Sequence, residues 1–128
     1  KIIVEDSGLF IDSLQGLPGP YSSYVYRKIG CQGIVKIMKN MKNREAHFRS
    51  SIVYATSIDD IQIFTGSVKG IIANHGSGLN GFGFDPIFIP IGNSKTFGLM
   101  SLKEKNTISH RSVALQNFIK WYLKSEST

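Results

Sequence analysis

Three stretches of this chain carry side chains that could do chemistry. The first is Glu5-Asp6-Ser7-Gly8, in which two adjacent carboxylates precede a serine and a glycine. One or two carboxylates bind Mg²⁺ when substrate phosphates supply further ligands, so this pair is a candidate magnesium site. Because successive side chains of a strand point to opposite faces, only one carboxylate is expected to face the site directly. The alternative is an exposed turn in which Asp6 or Ser7 bonds to the local backbone.

The second stretch is GFGFDPIF at residues 81–88. Its glycines allow a ligand to approach the main chain closely, and Phe82 and Phe84 offer flat faces on which a base can stack. Asp85 places a charge in an otherwise apolar segment, and the proline after it fixes the direction of the chain. The alternative is a tight turn that leads into a buried strand at residues 86–90.

The third stretch opens the last helix. A helix is predicted by apolar residues at i, i+3, i+4 and i+7, namely Leu115, Phe118, Ile119 and Tyr122. Ser109 is a suitable N-cap, which places His110 and Arg111 in the first turn. Cations there oppose the helix dipole by roughly 0.3–1 kcal/mol per group, so we expect them to bind an anion or a carbonyl oxygen. Lys105 can join them from a loop; the alternative is a solvent-facing first turn.

The elements that must position these groups follow from the apolar pattern. A strand at residues 1–4 is predicted to end before the carboxylates, where open α/β sheets place ligands. Residues 46–57 and 61–68 alternate on either side of Asp59-Asp60, which predicts an antiparallel hairpin. The other predicted elements are a loop at residues 14–20, a short helix at 21–29 and an amphipathic helix at 34–41.

Composition limits the class of protein. The chain has 128 residues, of which 41% are hydrophobic and 19% charged, as expected of a single globular domain over residues 1–128. No apolar run has the length of a membrane span, and a single cysteine fits a reducing cytoplasm. A net charge of +6 predicts an anionic partner. The lysines are scattered, which argues against a nucleic-acid-binding surface.

Taken in order, VEDSGL (residues 4–9), GFGFDPIF (81–88) and EKNTISHR (104–111) resemble the inosine/xanthosine triphosphate pyrophosphatase family. The segments LPGPYSSY (residues 17–24) and TF..M (96–100) add to the resemblance. It extends from the first residue to about Leu115.

The resemblance implies an α/β fold in which an elongated mixed β-sheet is flanked by helices, with a central cleft and a terminal amphipathic helix. It also implies a homodimer in the cytoplasm. The expected reaction is Mg²⁺-dependent hydrolysis of deaminated purine nucleoside triphosphates (ITP, dITP or XTP) to the monophosphate and pyrophosphate.

The resemblance also implies roles for individual residues. Asp6 would be the proton acceptor and a metal ligand, Glu5 a second metal ligand, and Ser7 a substrate contact. The base pocket would be lined by Phe82, Gly83, Phe84 and Asp85, and its edge readers would be Lys105, His110 and Arg111. Hypoxanthine and xanthine carry an acceptor oxygen where adenine carries an amino donor, and sites built on such hydrogen bonds discriminate strongly.

The chain departs from the family pattern before its first motif. Family members begin with a Ser/Thr-x-Asn-x-x-Lys loop that holds phosphates, followed by a Glu-Asn-Ala-x-x-Lys segment, and neither occurs in this sequence. The chain is therefore expected to be either a fragment of a longer enzyme or a naturally shortened member of the family, with reduced activity. The alternative is a non-catalytic purine nucleotide-binding or dimerisation module derived from that family. Leu99 also stands where an acidic residue is common.

Overall fold

A computed structural model of the chain describes residues 1–126, in which four strands form one antiparallel sheet in the order β1-β2-β3-β4. The strands are β1 (Ile2–Ile11), β2 (Glu45–Ser57), β3 (Asp60–Ile72) and β4 (Phe88–Pro90), and the helices are α1 (Ser22–Ile37), α2 (Leu102–Asn106) and α3 (His110–Glu126). The expected α/β fold is confirmed. The described sheet is antiparallel rather than mixed, because β2 and β3 are joined by a tight turn, whereas parallel neighbours need a long crossover.

The predicted hairpin is confirmed as β2 and β3, with Ile52 opposite Phe64 in the register. One face of β2 is buried through Phe48, Ser50, Ile52 and Tyr54. The core gathers on this face, where Phe48 and its neighbours pack against α1, the β4 segment and the loop before α2.

The prediction that the first strand ends at residue 4 is wrong. β1 continues through the carboxylates and pairs with β2 as far as Ile11. Gly8 does not turn the chain; it lets the Gly19 carbonyl lie where a Cβ would otherwise sit. In the register, Glu5 and Ser7 lie opposite Ile52 and Ser50, and strand alternation puts Asp6 on the other face of the sheet.

The two helices predicted at residues 21–29 and 34–41 form one element, α1, which ends at Ile37. Gly30 interrupts it with φ 64°, a conformation that costs other residues steric strain. Ile34 and Met38 reach the core as their spacing predicts, while Ile37 and Met41 stay largely exposed. The loop predicted at residues 14–20 is confirmed and contains short 3-10 turns.

The terminal helix is confirmed as α3, which packs on the buried face of the sheet. Its contact stripe differs from the predicted one: Phe118 and Trp121 meet the rings of Tyr54 and Phe64, whereas Leu115 and Ile119 remain exposed. Ser109 caps the helix as predicted, its Oγ accepting from the Ser112 amide at 3.1 Å.

The opposite face of the sheet is open among the described residues. Its apolar side chains Ile2, Val4, Ile61 and Ile63 are between 49% and 64% exposed. Within residues 1–126, no helix combines the length and apolar character needed to cross a membrane.

Candidate functional site

A cleft of about 420 Å³ lies between β1, the start of α3 and the turn at residues 82–85. All three stretches singled out in the sequence contribute to its walls, through Glu5, Asp6 and Ser7, through Phe82 to Asp85, and through His110 and Arg111. A larger hollow of about 1010 Å³ lies beside the second half of α1, but its described lining contains no carboxylate and no Phe, Tyr or Trp.

A buried ion pair holds the turn at residues 82–85, called the Phe82 loop below. Lys105 Nζ donates to Asp85 Oδ2 at 2.6 Å, and the two side chains are 9% and 3% exposed. The same Asp85 oxygen accepts from the Phe82 amide at 3.0 Å. Breaking one partner of such a pair costs about 3–5 kcal/mol, because it leaves a buried charge uncompensated. Asp85 therefore fixes the position of Phe82.

Phe82 itself remains exposed over 55% of its surface and has two cations close to its ring. The Arg111 guanidinium carbon lies 4.2 Å from the ring centroid, and Lys105 Nζ lies 4.8 Å from it. Each contact of this kind stabilises by about 0.5–2 kcal/mol. The ring is thus held in place while still presenting surface to a planar partner.

Arg111 also ties α3 to β1. Its Nε lies 2.5 Å from Glu5 Oε1 and donates to Ser7 Oγ at 3.3 Å. Ser7 Oγ in turn donates to Glu5 Oε1 at 3.1 Å. The Arg111 side chain is 41% exposed and helps to line the cleft. This network with Glu5 and Ser7 explains why a basic side chain, Arg111, stands in the first turn of α3.

His110 is buried rather than cationic. Its ring stacks on Phe48 with centroids 4.7 Å apart, and its residue exposure is 3%. Burial, followed by the charges of Arg111 and Lys105, lowers its pKa to about 3. The expectation of two cations in the first turn is therefore wrong for His110, since desolvation keeps the imidazole neutral at neutral pH.

Lys105 lies in a different place from the one expected. It belongs to α2 rather than to a loop, and its ammonium group is buried against Asp85 behind the Phe82 ring instead of lining the cleft. A capping box between Ser101 and Glu104 starts this short helix. The S-x-x-E spacing at residues 101–104 was the signal that could have predicted it.

The two carboxylates proposed as metal ligands have different surroundings. Glu5 is paired with Arg111, and Asp6 lies exposed on the opposite face of the strand at the rim of the cleft. In the described part of the chain, no cluster of three or more His, Cys, Asp and Glu side chains could hold a metal ion. The donors therefore fit an ion that brings most of its own ligands, with Asp6 as the protein carboxylate that is free of an ion pair with Arg111.

Two supporting residues were not predicted. Tyr26 lines the cleft and meets Phe84 edge-on, with ring centroids 5.3 Å apart. Cys31 Sγ donates to the Gly83 carbonyl at 3.4 Å, and its thiol pKa is raised by burial and then by Asp85. These contacts join α1 to the Phe82 loop across more than fifty positions of sequence. At that separation no local sequence pattern identifies a partner.

Comparison with known proteins gives the family. Residues 1–121 match the Ham1 family. The chain is 53% identical over 118 residues to a dITP/XTP pyrophosphatase of Thermococcus kodakarensis, covering 92% of this chain and 63% of that protein. It is 49% identical over 120 residues to a dITP/XTP pyrophosphatase of Hyperthermus butylicus, covering 94% of this chain and 63% of that protein.

Solved structures agree with the sequence relatives. The Ham1 protein of Staphylococcus aureus has a TM-score of 0.87 at 33% identity, covering 97% of this chain and 67% of that one. A Ham1 protein of Coxiella burnetii has a TM-score of 0.86 at 30% identity, covering 95% and 66%. The chain spans about 63% of the length of the curated relatives above. The resemblance noted from the three motifs is confirmed, and the chain belongs to the Ham1 family.

Proposed function

We propose that the cleft binds the base of a deaminated purine nucleotide, and that the protein hydrolyses the corresponding triphosphate (ITP, dITP or XTP) to the monophosphate and pyrophosphate. The observation that carries this proposal is the contact of Phe82 with Arg111 in the wall of a cleft that His110 also lines. It supplies a stacking surface next to hydrogen-bond donors. The relatives named dITP/XTP pyrophosphatase support the same substrate class.

Base recognition divides between stacking and edge reading. We propose that Phe82 stacks on the purine and that Gly83 and Phe84 shape the pocket. Arg111 and His110 would read the acceptor oxygens of hypoxanthine or xanthine. Asp85 and Lys105 act from behind by holding the Phe82 loop. Adenine presents an amino donor instead of the oxygen and would leave the donors of the site unpaired, which costs about 1–3 kcal/mol per buried group.

We propose Asp6 as the carboxylate that meets the phosphates, as proton acceptor and as the protein ligand of a Mg²⁺ ion. Mg²⁺ keeps several waters and binds through one or two carboxylates plus substrate phosphates, which matches a single exposed carboxylate at the rim of the cleft. When bound, the ion would neutralise phosphate charge. Glu5 and Ser7 would hold Arg111 in position, Glu5 through its ion pair and Ser7 through its hydrogen bond to that side chain.

The second candidate function is nucleotide binding without hydrolysis. It is favoured by the placement of Glu5 and Asp6 on opposite faces of β1, which separates the two carboxylates expected to act on one ion. Inosine monophosphate would then bind, with no release of pyrophosphate from inosine triphosphate.

We further propose a cytoplasmic homodimer. A single cysteine supports the location, and the exposed apolar rows on the open face of the sheet support self-association.

The test separates edge reading from stacking by calorimetric titration with inosine and adenosine monophosphates. Arg111→Ala should weaken inosine monophosphate binding by about 1.5–3 kcal/mol and scarcely change that of adenosine monophosphate. Phe82→Ala should weaken both nucleotides together, by about 1–3 kcal/mol, because stacking does not read base edges.

Lys120→Ala is the control, since it removes one positive charge from an exposed position in the second half of the same helix. It should leave both affinities unchanged apart from a small general loss of attraction to anions. If Arg111→Ala weakens both nucleotides equally, Arg111 is a phosphate or structural residue, and the assignment of base reading to the start of α3 fails.

A further inference from the structure

Two buried polar atoms lack a hydrogen-bond partner among residues 1–126, namely Ser50 Oγ and His110 Nδ1. Ser50 is completely buried and His110 is 3% exposed. An unpaired buried polar atom costs about 1–3 kcal/mol, so native proteins rarely leave two of them in one region. Since neither atom reaches a partner in the described part of the protein, one water between them would satisfy both.

The sheet register places Ser50 beneath the start of α3. On the buried face, Ser50 stands between Ser7 of β1 and Gly66 of β3. Ser7 Oγ accepts from Arg111, and Gly66 lies directly against the carbonyl of His110. Both neighbours of Ser50 in this row therefore touch the residues that begin α3.

The neighbouring position on the same strand completes the enclosure of the imidazole. Phe48 lies two residues before Ser50 and so on the same face, and its ring stacks under His110 at 4.7 Å. With one ring face on Phe48 and Nδ1 buried, Nε2 is the ring nitrogen left to meet the cleft, which His110 helps to line.

We propose that Ser50 is a positioning residue for His110: its hydroxyl donates to one buried water, which donates to Nδ1 and so holds the proton of the neutral ring on Nε2. In a neutral imidazole, one nitrogen accepts and the other donates, so a partner that donates to Nδ1 leaves the proton on Nε2. With Nδ1 as acceptor, Nε2–H presents a donor to the cleft. This step rests on the proposed function, under which that donor meets an acceptor oxygen of the deaminated base.

The tautomer is measurable without any ligand. Chains labelled with ¹⁵N at histidine would be compared by NMR, with His110→Gln used to assign the signal. In the unmodified chain we expect His110 to show a protonated Nε2 and an accepting Nδ1. Ser50→Ala should convert this signal to a mixture of tautomers, and Ser50→Thr, which keeps a hydroxyl, should restore it. Ser51→Ala, a neighbouring serine on the other face of the strand, should change nothing.

A second measurement connects the tautomer to recognition. Ser50→Ala should weaken the binding of inosine monophosphate by about three- to tenfold, which corresponds to the loss of one hydrogen bond. The affinity for adenosine monophosphate should change little. If the His110 tautomer is the same in the unmodified chain and in Ser50→Ala, or if Nδ1 carries the proton in the unmodified chain, the inference is overturned. If the tautomer behaves as expected but no inosine nucleotide binds, the inference about Ser50 stands and the proposed function fails.

Discussion

At the scale of single residues, the position of the Phe82 loop depends on one buried charge pair. Asp85 accepts hydrogen bonds from both Lys105 and the Phe82 amide. The bond from Lys105 compensates the buried carboxylate charge, and the bond from the amide fixes the position of Phe82. A surface pair that involves the same short helix, Lys95 with Glu104 of α2, has side chains about half exposed (48% and 49%). The two pairs offer the same chemistry in two environments.

Lys105→Met should therefore lower the free energy of unfolding by about 3–5 kcal/mol, because it strands the Asp85 carboxylate in the interior. Lys95→Met, the matched control, should change it by less than about 1 kcal/mol, since water screens the exposed pair. Urea unfolding of the two variants measures both values. Equal losses would mean that the Lys105–Asp85 pair does not hold the loop.

Buried His110 makes stability depend on pH. Its pKa is lowered to about 3 in the folded chain from an ordinary value of 6.5. Between these pH values the unfolded chain binds the additional proton, so the free energy of unfolding rises with pH and falls as the solution is acidified below about 6.5. One such group contributes at most about 1.4 kcal/mol per pH unit.

His110→Gln should remove this slope. Urea unfolding at several pH values between about 7 and 5 should show the unmodified chain losing stability faster than the variant. His47, whose pKa is also lowered, lies less deeply in the structure, so His47→Gln should retain most of the slope. Parallel curves for the unmodified chain and His110→Gln would show that His110 is not held neutral by burial.

At the scale of elements, the position of α3 depends on one glycine of β3. A Cβ at Gly66 would overlap the carbonyl of His110 and the amide of Ala114. Ala114 is completely buried at this crossing. The helix therefore approaches the sheet as closely as two backbones allow, and that approach sets the height of its first turn above β1.

Gly66→Ala should push α3 away from the sheet and cost about 1–3 kcal/mol of stability, the range for an overpacked core. It should also weaken inosine monophosphate binding, because α3 carries His110 and Arg111. At Gly76 a Cβ would make only ordinary contacts, the nearest at 3.7 Å, so Gly76→Ala should change stability by no more than about 0.5 kcal/mol. Thermal unfolding and calorimetry on the pair test the claim; equal stability would contradict it.

At the scale of the whole molecule, the sequence predicted what depends on local pattern. The β2–β3 hairpin, the Ser109 cap and the terminal helix follow from alternation, capping chemistry and helical spacing. Other features depend on contacts between distant segments. β1 continues past Gly8 because β2 pairs with it, and His110 is neutral because Phe48 covers it. The capping box of α2 was readable from residues 101–104 and was overlooked.

We propose that this chain distinguishes a deaminated purine from adenine through the cleft between β1, the turn at residues 82–85 and α3. The most direct measurement is calorimetric titration of the unmodified chain with inosine monophosphate and with adenosine monophosphate under the same conditions. We expect at least about tenfold tighter binding of the inosine nucleotide, which corresponds to about 1.4 kcal/mol. Equal affinities for the two nucleotides, or tighter binding of adenosine monophosphate, would contradict it.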